Sequence, residues 1–174
     1  MSLFLHLIIE QIPGLRRYAR ALTGGQKENA DDLVQDTLER AYLKWHLFRV
    51  GSDLRPWLFS IMHNIFINEM RCAKQRATTP VPEENASERA TQFEYVQARE
   101  TLFAVGRLAP DLREVLILVT VETFSYAETA KILDIPIGTV MSRLARARNQ
   151  LRRLTDVTVR NPGRAGLRLV ENLE

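Results

Sequence analysis

The sequence predicts an all-α protein with two small helical domains joined by a flexible linker. Apolar residues recur at three- and four-residue spacing through most of the chain, which is typical of helices with one buried face. One central stretch loses this periodicity and is rich in proline, threonine and glutamate, which indicates a linker. We therefore assign residues 1–76 to the first domain, 77–92 to the linker, 93–155 to the second domain and 156–174 to a mobile C-terminal tail.

Two amphipathic segments open the first domain. From Leu3 to Leu22 the pattern is helical, and Pro13-Gly14 is expected to divide it into two pieces. A further helix is predicted to start at Asn29 or Asp31 and to end near Trp45. The apolar stripe expected to face inward comprises Val34, Leu38, Ala41, Tyr42 and Trp45.

The outer face of this second segment is acidic. Four polar side chains share one side of the helix, namely Asp32, Gln35, Asp36 and Glu39. Taken alone, such a ridge is more often a solvated surface than a binding site. However, the net charge of +3 is small beside the local clusters of both signs, so we expect both a nucleic acid and a protein partner.

A loop from Phe48 to Asp53, FRVGSD, precedes the next helix, which is predicted from Leu54 to about Cys72. Its inward residues are expected to be Trp57, Leu58, Ile61, Ile65 and Phe66, and those on another side Ser60, His63, Asn64, Ile67 and Arg71. Asparagine disfavours the middle of a helix. The amide of Asn64 is therefore expected to be either solvated or used in binding.

The second domain begins with a helix predicted from Phe93 to Leu108. The next helix, from about Leu112 to Thr123, contains the uncharged run VLILVTV and is expected to form the core of this domain. The β-branched residues of this run also suit a strand. Pro110-Asp111 before it and a helix cap after it favour the helix.

Residues 124–151, FSYAETAKILDIPIGTVMSRLARARNQL, predict a helix-turn-helix. Ser125 and Glu128 suit a reciprocal cap at the start of a helix from about Tyr126 to Leu133. Pro136 disfavours helical geometry just before it, so a second helix begins after a short break.

The second helix of this pair has an apolar side and a basic side. Val140, Leu144, Ala147 and Leu151 form the apolar stripe, which leaves exposed Thr139, Ser142, Arg143, Arg146 and Arg148. No acidic residue occurs between Asp134 and Asp156. This polarity suits a recognition helix that meets phosphates and base edges in a DNA major groove. The alternative is a solvated basic face on an ordinary bundle helix.

Several classes of protein are disfavoured. Cys72 is the sole cysteine, so the chain can form neither an internal disulfide nor a multi-cysteine zinc site, and it fits a reducing cytoplasm. The apolar start of the chain follows no basic residue and ends at Glu10, so we interpret it as a helix rather than a signal peptide. No segment reaches the roughly 20 apolar residues that span a bilayer. Because the histidines lie in separate elements and no glycine-rich phosphate loop occurs, we expect no catalysis, no cofactor and no metal.

Three motifs together resemble one family. DDLVQDTLERAYLKW, FRVGSDLRPWLFSIMHNIFINEMR and LAPDLREVLILVTVETFSYAETAKILDIPIGTVMSRLARARNQLRRL are similar, in order and spacing, to the extracytoplasmic-function (ECF, group IV) RNA polymerase sigma factors. The resemblance covers roughly Ile12 to Leu154. It implies that the first domain is sigma region 2 and the second is sigma region 4, with a short linker in place of region 3.

The resemblance also implies partners and residue roles. Core RNA polymerase would bind through its beta-prime clamp and beta flap, and the residues that grip the clamp would be Asp32, Gln35, Asp36 and Glu39. The minus-ten promoter element would be bound by Phe48, Arg49, Ser52, Asp53, Asn64, Arg71 and Lys74, with Arg76 beside them on the phosphates. The minus-thirty-five element would be read by Thr139, Ser142, Arg143, Arg146 and Arg148.

Control and location follow from the same resemblance. An anti-sigma factor is expected to cover the polymerase-binding surfaces, and the chain is expected to be cytoplasmic and not a homo-oligomer. Many family members have lysine where this chain has Met141, so one phosphate contact is expected to be missing. Two alternatives are a sigma-mimicking decoy that binds an anti-sigma factor and a stand-alone helix-turn-helix regulator. The latter leaves the acidic ridge and the loop before Leu54 unexplained.

Overall fold

The computed structural model describes residues 2–48, 52–76 and 104–160, with side chains over 6–48, 52–73 and 104–154. Arg49, the predicted linker, most of the helix predicted from Phe93 to Leu108 and the tail beyond residue 160 lie outside the described residues. The predictions made for them therefore stay predictions.

The described chain is α-helical, with no strand in these ranges, and the all-α prediction is confirmed. Residues 104–106 are also helical. The elements in chain order are α1 (Ser2–Leu22), α2 (Lys27–Leu43), a 3-10 turn (Trp45–Leu47), α3 (Leu54–Arg76), α4 (Pro110–Thr120), α5 (Tyr126–Leu133) and α6 (Ile137–Arg160).

α1 is a single helix, so the predicted division at Pro13-Gly14 is wrong. A proline inside a helix removes one backbone hydrogen bond and crowds the preceding turn. Here the face that follows it is fully buried through Leu15, Tyr18 and Ala19. The packing of that face outweighs the local cost of the proline.

α2 begins and ends earlier than predicted. Its buried residues are Ala30, Leu33, Val34, Thr37 and Ala41. Tyr42 and Trp45, which were predicted to face inward, are 50% and 48% exposed. Tyr42 lies beside the buried stripe rather than on it, and Trp45 lies beyond the end of the helix in the 3-10 turn, where the periodicity changes.

α3 continues past the predicted end at Cys72 to Arg76. Leu58, Ile61 and Ile65 are buried as predicted, and Trp57 and Phe66 are partly buried. His63 was predicted on a different side from the apolar stripe, and its side chain is only 12% exposed and pairs with Glu114. The second domain covers His63, which the periodicity of α3 alone could not reveal.

The second domain confirms the helical prediction for the β-branched run. Val115 and Leu118 of α4 are fully buried. α5 and α6 follow with a short break between them, so the helix-turn-helix is also confirmed. α6 continues to Arg160 and so includes residues 156–160, which were assigned to the tail. The first strong helix breaker after Leu154 is Pro162, so nothing in the local sequence ends the helix earlier.

The two domains pack against each other. α1 and α3 of the first domain contact α4 and α5 of the second. The buried apolar residues of both domains form one continuous cluster. At its centre the rings of Phe59 and Phe124 meet edge to face, with centroids 4.9 Å apart. This contact between domains was not among the predictions from the sequence.

Candidate functional site

The start of the helix-turn-helix is fixed by a reciprocal cap. The backbone N–H of Glu128 donates to Ser125 Oγ at 3.2 Å, and the backbone N–H of Ser125 donates to Glu128 Oε2 at 2.8 Å. Hydrogen bonds from the Ser125 hydroxyl and backbone lower the pKa of the Glu128 carboxyl, because they favour its charged form. The cap predicted from the sequence is therefore present, and it sets where α5 begins.

The turn between α5 and α6 uses an aspartate where many helices end with glycine. Asp134 adopts the left-handed conformation with φ of 51°, and its N–H donates to the carbonyl of Ala130. Aspartate tolerates this region better than most residues. Pro136 then starts the next helix, since its carbonyl accepts from Thr139 N at 2.9 Å.

One face of α6 seats the helix and the other is open to solvent. Val140, Leu144 and Ala147 are buried against the domain core. The predicted readers Ser142, Arg146 and Arg148 are exposed, and Thr139 is half-buried at the start of the helix. The exposed face thus presents hydroxyl and guanidinium groups, which are suited to phosphates and base edges.

Arg143 differs from the other predicted readers. Its Nε lies 3.4 Å from Asp111 Oδ2, at the start of α4, and its side chain is only 26% exposed. The guanidinium is therefore held against its own domain, at the edge of the basic face. The pairing of Asp111 with Arg143 was not identified from the sequence, because the two residues lie on different helices.

The predicted minus-ten residues lie around the start and one face of α3. The ring of Phe48 packs on Trp57, with centroids 5.3 Å apart, and Asp53 Oδ1 accepts from the backbone N–H of Arg55 at 3.0 Å. Ser52, Asp53, Asn64 and Arg71 are exposed, whereas only the backbone of Lys74 is described. Trp57, Asn64 and Arg71 follow at seven-residue intervals in one helix and so share a face.

The acidic ridge on α2 is exposed throughout, at Asp32, Gln35, Asp36 and Glu39. A groove runs between α2 and α3, and its lining includes Asp36, Glu39 and Glu69. Partial burial, followed by the charges of Asp36 and Asp32, raises the pKa of Glu69. Glu69 therefore extends the ridge onto a second helix, which the periodicity of α2 alone could not indicate.

Within the described part of the chain, no helix is long and apolar enough to cross a membrane. The same residues contain no cluster of histidine, cysteine, aspartate and glutamate that could hold a metal ion.

Comparison with known proteins adds two family matches. Residues 8–63 match the model described as the Sigma2 domain of PhyR, and residues 95–151 match sigma-70 region 4. The chain is 37% identical over 150 residues to the ECF RNA polymerase sigma factor EcfG of Rhodopseudomonas palustris, which covers 83% of this chain and 80% of the relative.

Two solved structures share the fold. Sigma factor RpoE of Bartonella quintana, in complex with the anti-sigma factor NepR, matches with a TM-score of 0.81 and 34% identity, over 90% of this chain and 99% of that one. The PhyRSL–NepR complex of Sphingomonas sp. Fr1 matches with a TM-score of 0.64 and 25% identity, over 97% and 94%.

Proposed function

The chain belongs to the extracytoplasmic-function (ECF) family of RNA polymerase sigma factors, and from that premise we propose that it carries core RNA polymerase to a two-part promoter and opens the minus-ten duplex. The observation that carries the proposal is the separation of charge between the domains. The first domain presents the acidic ridge of α2 with Glu69, and the second presents the basic face of α6. The acidic face can bind a basic protein surface while the basic face binds a DNA duplex. Sigma factors recognise promoters and are not enzymes.

Core RNA polymerase is the proposed partner of the acidic ridge. Partial burial and then the negative charges of Asp36 and Asp32 raise the pKa of Glu69, so the Glu69 carboxylate is repelled by both aspartates in the free chain. A basic surface on the polymerase clamp would relieve that repulsion. Gln35 and Glu39 would extend the contact along α2, and region 4 would bind the beta flap.

The loop before α3 and the Asn64 face are the proposed minus-ten site. A base extruded from the duplex costs a few kcal/mol, and stacking and edge hydrogen bonds in a pocket offset that cost. Aromatic Phe48 and the amide of Asn64 supply these two kinds of contact. Arg71 and Lys74 would follow the neighbouring phosphates, as would Arg76, since cations bind phosphates without base-specific geometry. Melting by this route requires no ATP.

The basic face of α6 is the proposed reader of the minus-thirty-five element. Ser142, Arg146 and Arg148 are exposed for contacts in the groove. Arg143 would join them with its guanidinium oriented by Asp111. Each good bidentate contact to a base contributes about 1–3 kcal/mol of discrimination. With Met141 exposed on the same helix, one cationic contact is absent, which weakens general affinity rather than specificity.

Control by an anti-sigma factor is also proposed, because RpoE, a sigma factor of similar fold, is bound by the anti-sigma factor NepR. We propose a cytoplasmic protein, since RNA polymerase and promoter DNA are there. The decoy function is the second candidate, and one observation favours it: the first domain matches the Sigma2 domain of PhyR, and PhyRSL also binds NepR.

Multi-round transcription on a pool of genomic promoters separates the two candidates. Purified core RNA polymerase is incubated with and without the full chain. Transcripts that need the chain and share a two-part upstream sequence would support the sigma function and reveal the promoter. Stable binding to an anti-sigma factor without any such transcript would instead support the decoy.

A further inference from the structure

The contact between the two domains contains two buried carboxylates, both from the second domain. Glu122 follows α4 and is fully buried, and Glu114 within α4 is 6% exposed. Ionised carboxylates are rarely buried without a charged partner. The partners of both come from the first domain.

Glu122 is held by two arginines. Its Oε1 accepts from Arg17 Nε at 2.9 Å, and its Oε2 accepts from Arg17 Nη2 at 3.1 Å and from Arg55 Nη2 at 2.8 Å. The two-point contact with Arg17 is the geometry that gives arginine–carboxylate pairs their strength. Gly14 of α1 leaves room for this contact, because a Cβ there would lie 2.9 Å from Glu122 Oε2.

Glu114 forms a second polar contact across the same interface. Its Oε1 accepts from the hydroxyl of Tyr18 at 2.5 Å and lies 2.6 Å from His63 Nδ1. Burial, with the Glu114 charge, raises the pKa of Tyr18, so the phenol stays protonated and donates. The Arg55 guanidinium lies 4.4 Å from the centroid of Phe124 and so also packs on a ring of the second domain.

We propose that these contacts form an intramolecular latch that closes region 4 onto region 2 in the free chain and prevents both promoter elements from being bound at once until it opens. The latch is defined as Glu114 and Glu122 with Arg17, Arg55 and His63. The effect of the latch on transcription rests on the proposed function, whereas the closed contact between the domains does not depend on that function.

Geometry requires opening before both promoter elements can be read. Positions minus ten and minus thirty-five are separated by about 25 base pairs, or about 85 Å of duplex at 3.4 Å per base pair. In the closed chain the two domains are joined by hydrogen bonds near 3 Å. Regions 2 and 4 therefore cannot occupy both elements together while the latch is closed.

The polar character of the interface suits reversible opening. Buried ion pairs are strongly disrupted when one partner is lost, yet their groups are well solvated when they separate. Arg17 remains 54% exposed and Arg55 30% exposed in the closed state, so water reaches the edge of the contact. Because Arg55 lies two residues after Asp53, the latch contacts α3 at its start, next to the proposed minus-ten loop.

The test compares full-length variants by small-angle scattering, which reports how far the two domains are apart. Glu122→Gln keeps the shape of the side chain and removes its charge, and Arg17→Gln removes the facing charge from an exposed side chain. Both should enlarge the radius of gyration and reduce the closed fraction at least about tenfold. Glu10→Gln, an exposed glutamate outside the latch, is the matched control and should change neither.

Coupling between the two positions distinguishes a latch from a general loss of structure. The double variant should open less than the sum of the two single effects, because each alone already breaks the pair. Circular dichroism should report unchanged helix content in every variant. Additive effects, or lost helix content in both single variants, would overturn the latch.

Failure of the latch and failure of the proposed function are separable. An open wild-type chain with the same radius of gyration as Glu122→Gln would overturn the latch, whatever the transcription result. A closed wild type and an open variant, neither of which supports promoter-specific transcription, would support the latch and contradict the sigma function.

Discussion

The arginines of α6 lie on one basic helix but differ in their contacts within the domain. Arg146 and Arg148 are exposed, and Arg146 Nε donates to the Ser142 carbonyl of its own helix at 3.4 Å, whereas Arg143 is paired with Asp111. A cation with an intradomain partner reaches DNA in a defined orientation and loses less side-chain entropy on binding. The pair itself is partly exposed, so it contributes at most about 1 kcal/mol to folding.

Arg143→Ala should weaken binding to a minus-thirty-five duplex by about 1–3 kcal/mol and leave polymerase binding intact. Asp111→Asn keeps the guanidinium and removes its partner, so we expect a smaller loss in the same direction. Fluorescence anisotropy with labelled duplex measures both, and Arg20→Ala, an exposed cation of α1, is the control. If Arg143→Ala binds the duplex as tightly as the wild type, Arg143 does not read the minus-thirty-five element and the other arginines do.

Asn64 is the second residue whose role can be tested alone. It is exposed on the same face of α3 as Arg71. Asn64→Ala should reduce promoter opening about fivefold, the equivalent of one lost hydrogen bond of about 1 kcal/mol, while core binding is unchanged. Permanganate reactivity of unpaired thymines reports opening, and Asn29→Ala controls for loss of an exposed asparagine. Opening equal to that of the wild type would exclude Asn64 from base capture.

At the scale of elements, the Ser125–Glu128 cap makes the stability of α5 depend on pH. The folded-state pKa of Glu128 is lowered, so its ionised form stabilises α5 above the unfolded-state pKa, about 4.3. That stability is lost as the pH falls through the lowered value. Because glutamine can also cap, Glu128→Gln should remove this acid-dependent component and retain most of the helix.

Chemical denaturation between about pH 3 and pH 7, a range that brackets the carboxyl titration, would measure this effect. Ser125→Ala, which removes the reciprocal partner, should cost about 0.5–2 kcal/mol at neutral pH. Identical pH profiles for Glu128→Gln and the wild type would contradict the role of the carboxylate.

The groove between α2 and α3 has the opposite pH behaviour. Because the folded-state pKa of Glu69 is raised, its stabilising contribution is complete below the unfolded-state pKa and is lost as the pH rises through the raised value. Glu69→Gln should therefore be slightly more stable than the wild type at neutral pH, by less than about 1 kcal/mol. Its affinity for core polymerase should fall, since one carboxylate of the ridge is gone.

Thermal denaturation and core-binding titrations together test this trade between stability and binding. Glu10→Gln, which lies outside the ridge, should change neither quantity. If Glu69→Gln gains stability and its affinity for core polymerase equals that of the wild type, Glu69 is not part of the proposed interface.

For the whole molecule, the decisive feature is that two domains share one buried cluster. Domains that share a core and buried ion pairs unfold together, whereas separated domains unfold independently. Calorimetry of the wild type should therefore show one cooperative transition, and Glu122→Gln should show two. Two transitions in the wild type would mean that the closed contact contributes little free energy.

The sequence alone determined most of what depends on short-range order. The helix-turn-helix, the Ser125–Glu128 cap, the buried stripe of α6 and the exposed acidic face of α2 all follow from spacing within a few residues. The same local reasoning failed at Pro13, where packing outweighs a helix breaker, and at Trp45, where the helix ends early.

Only the tertiary structure decided the partners of Glu114 and Glu122. Arg17 and Glu122 lie 105 residues apart, and His63 and Glu114 lie 51 apart, on opposite sides of the predicted linker. No periodicity connects such positions, because helical spacing gives the direction of a side chain within its own element and not the element that will face it. The sequence therefore determined the two domains and their charged faces, and the packing of one domain on the other determined which charges are buried together.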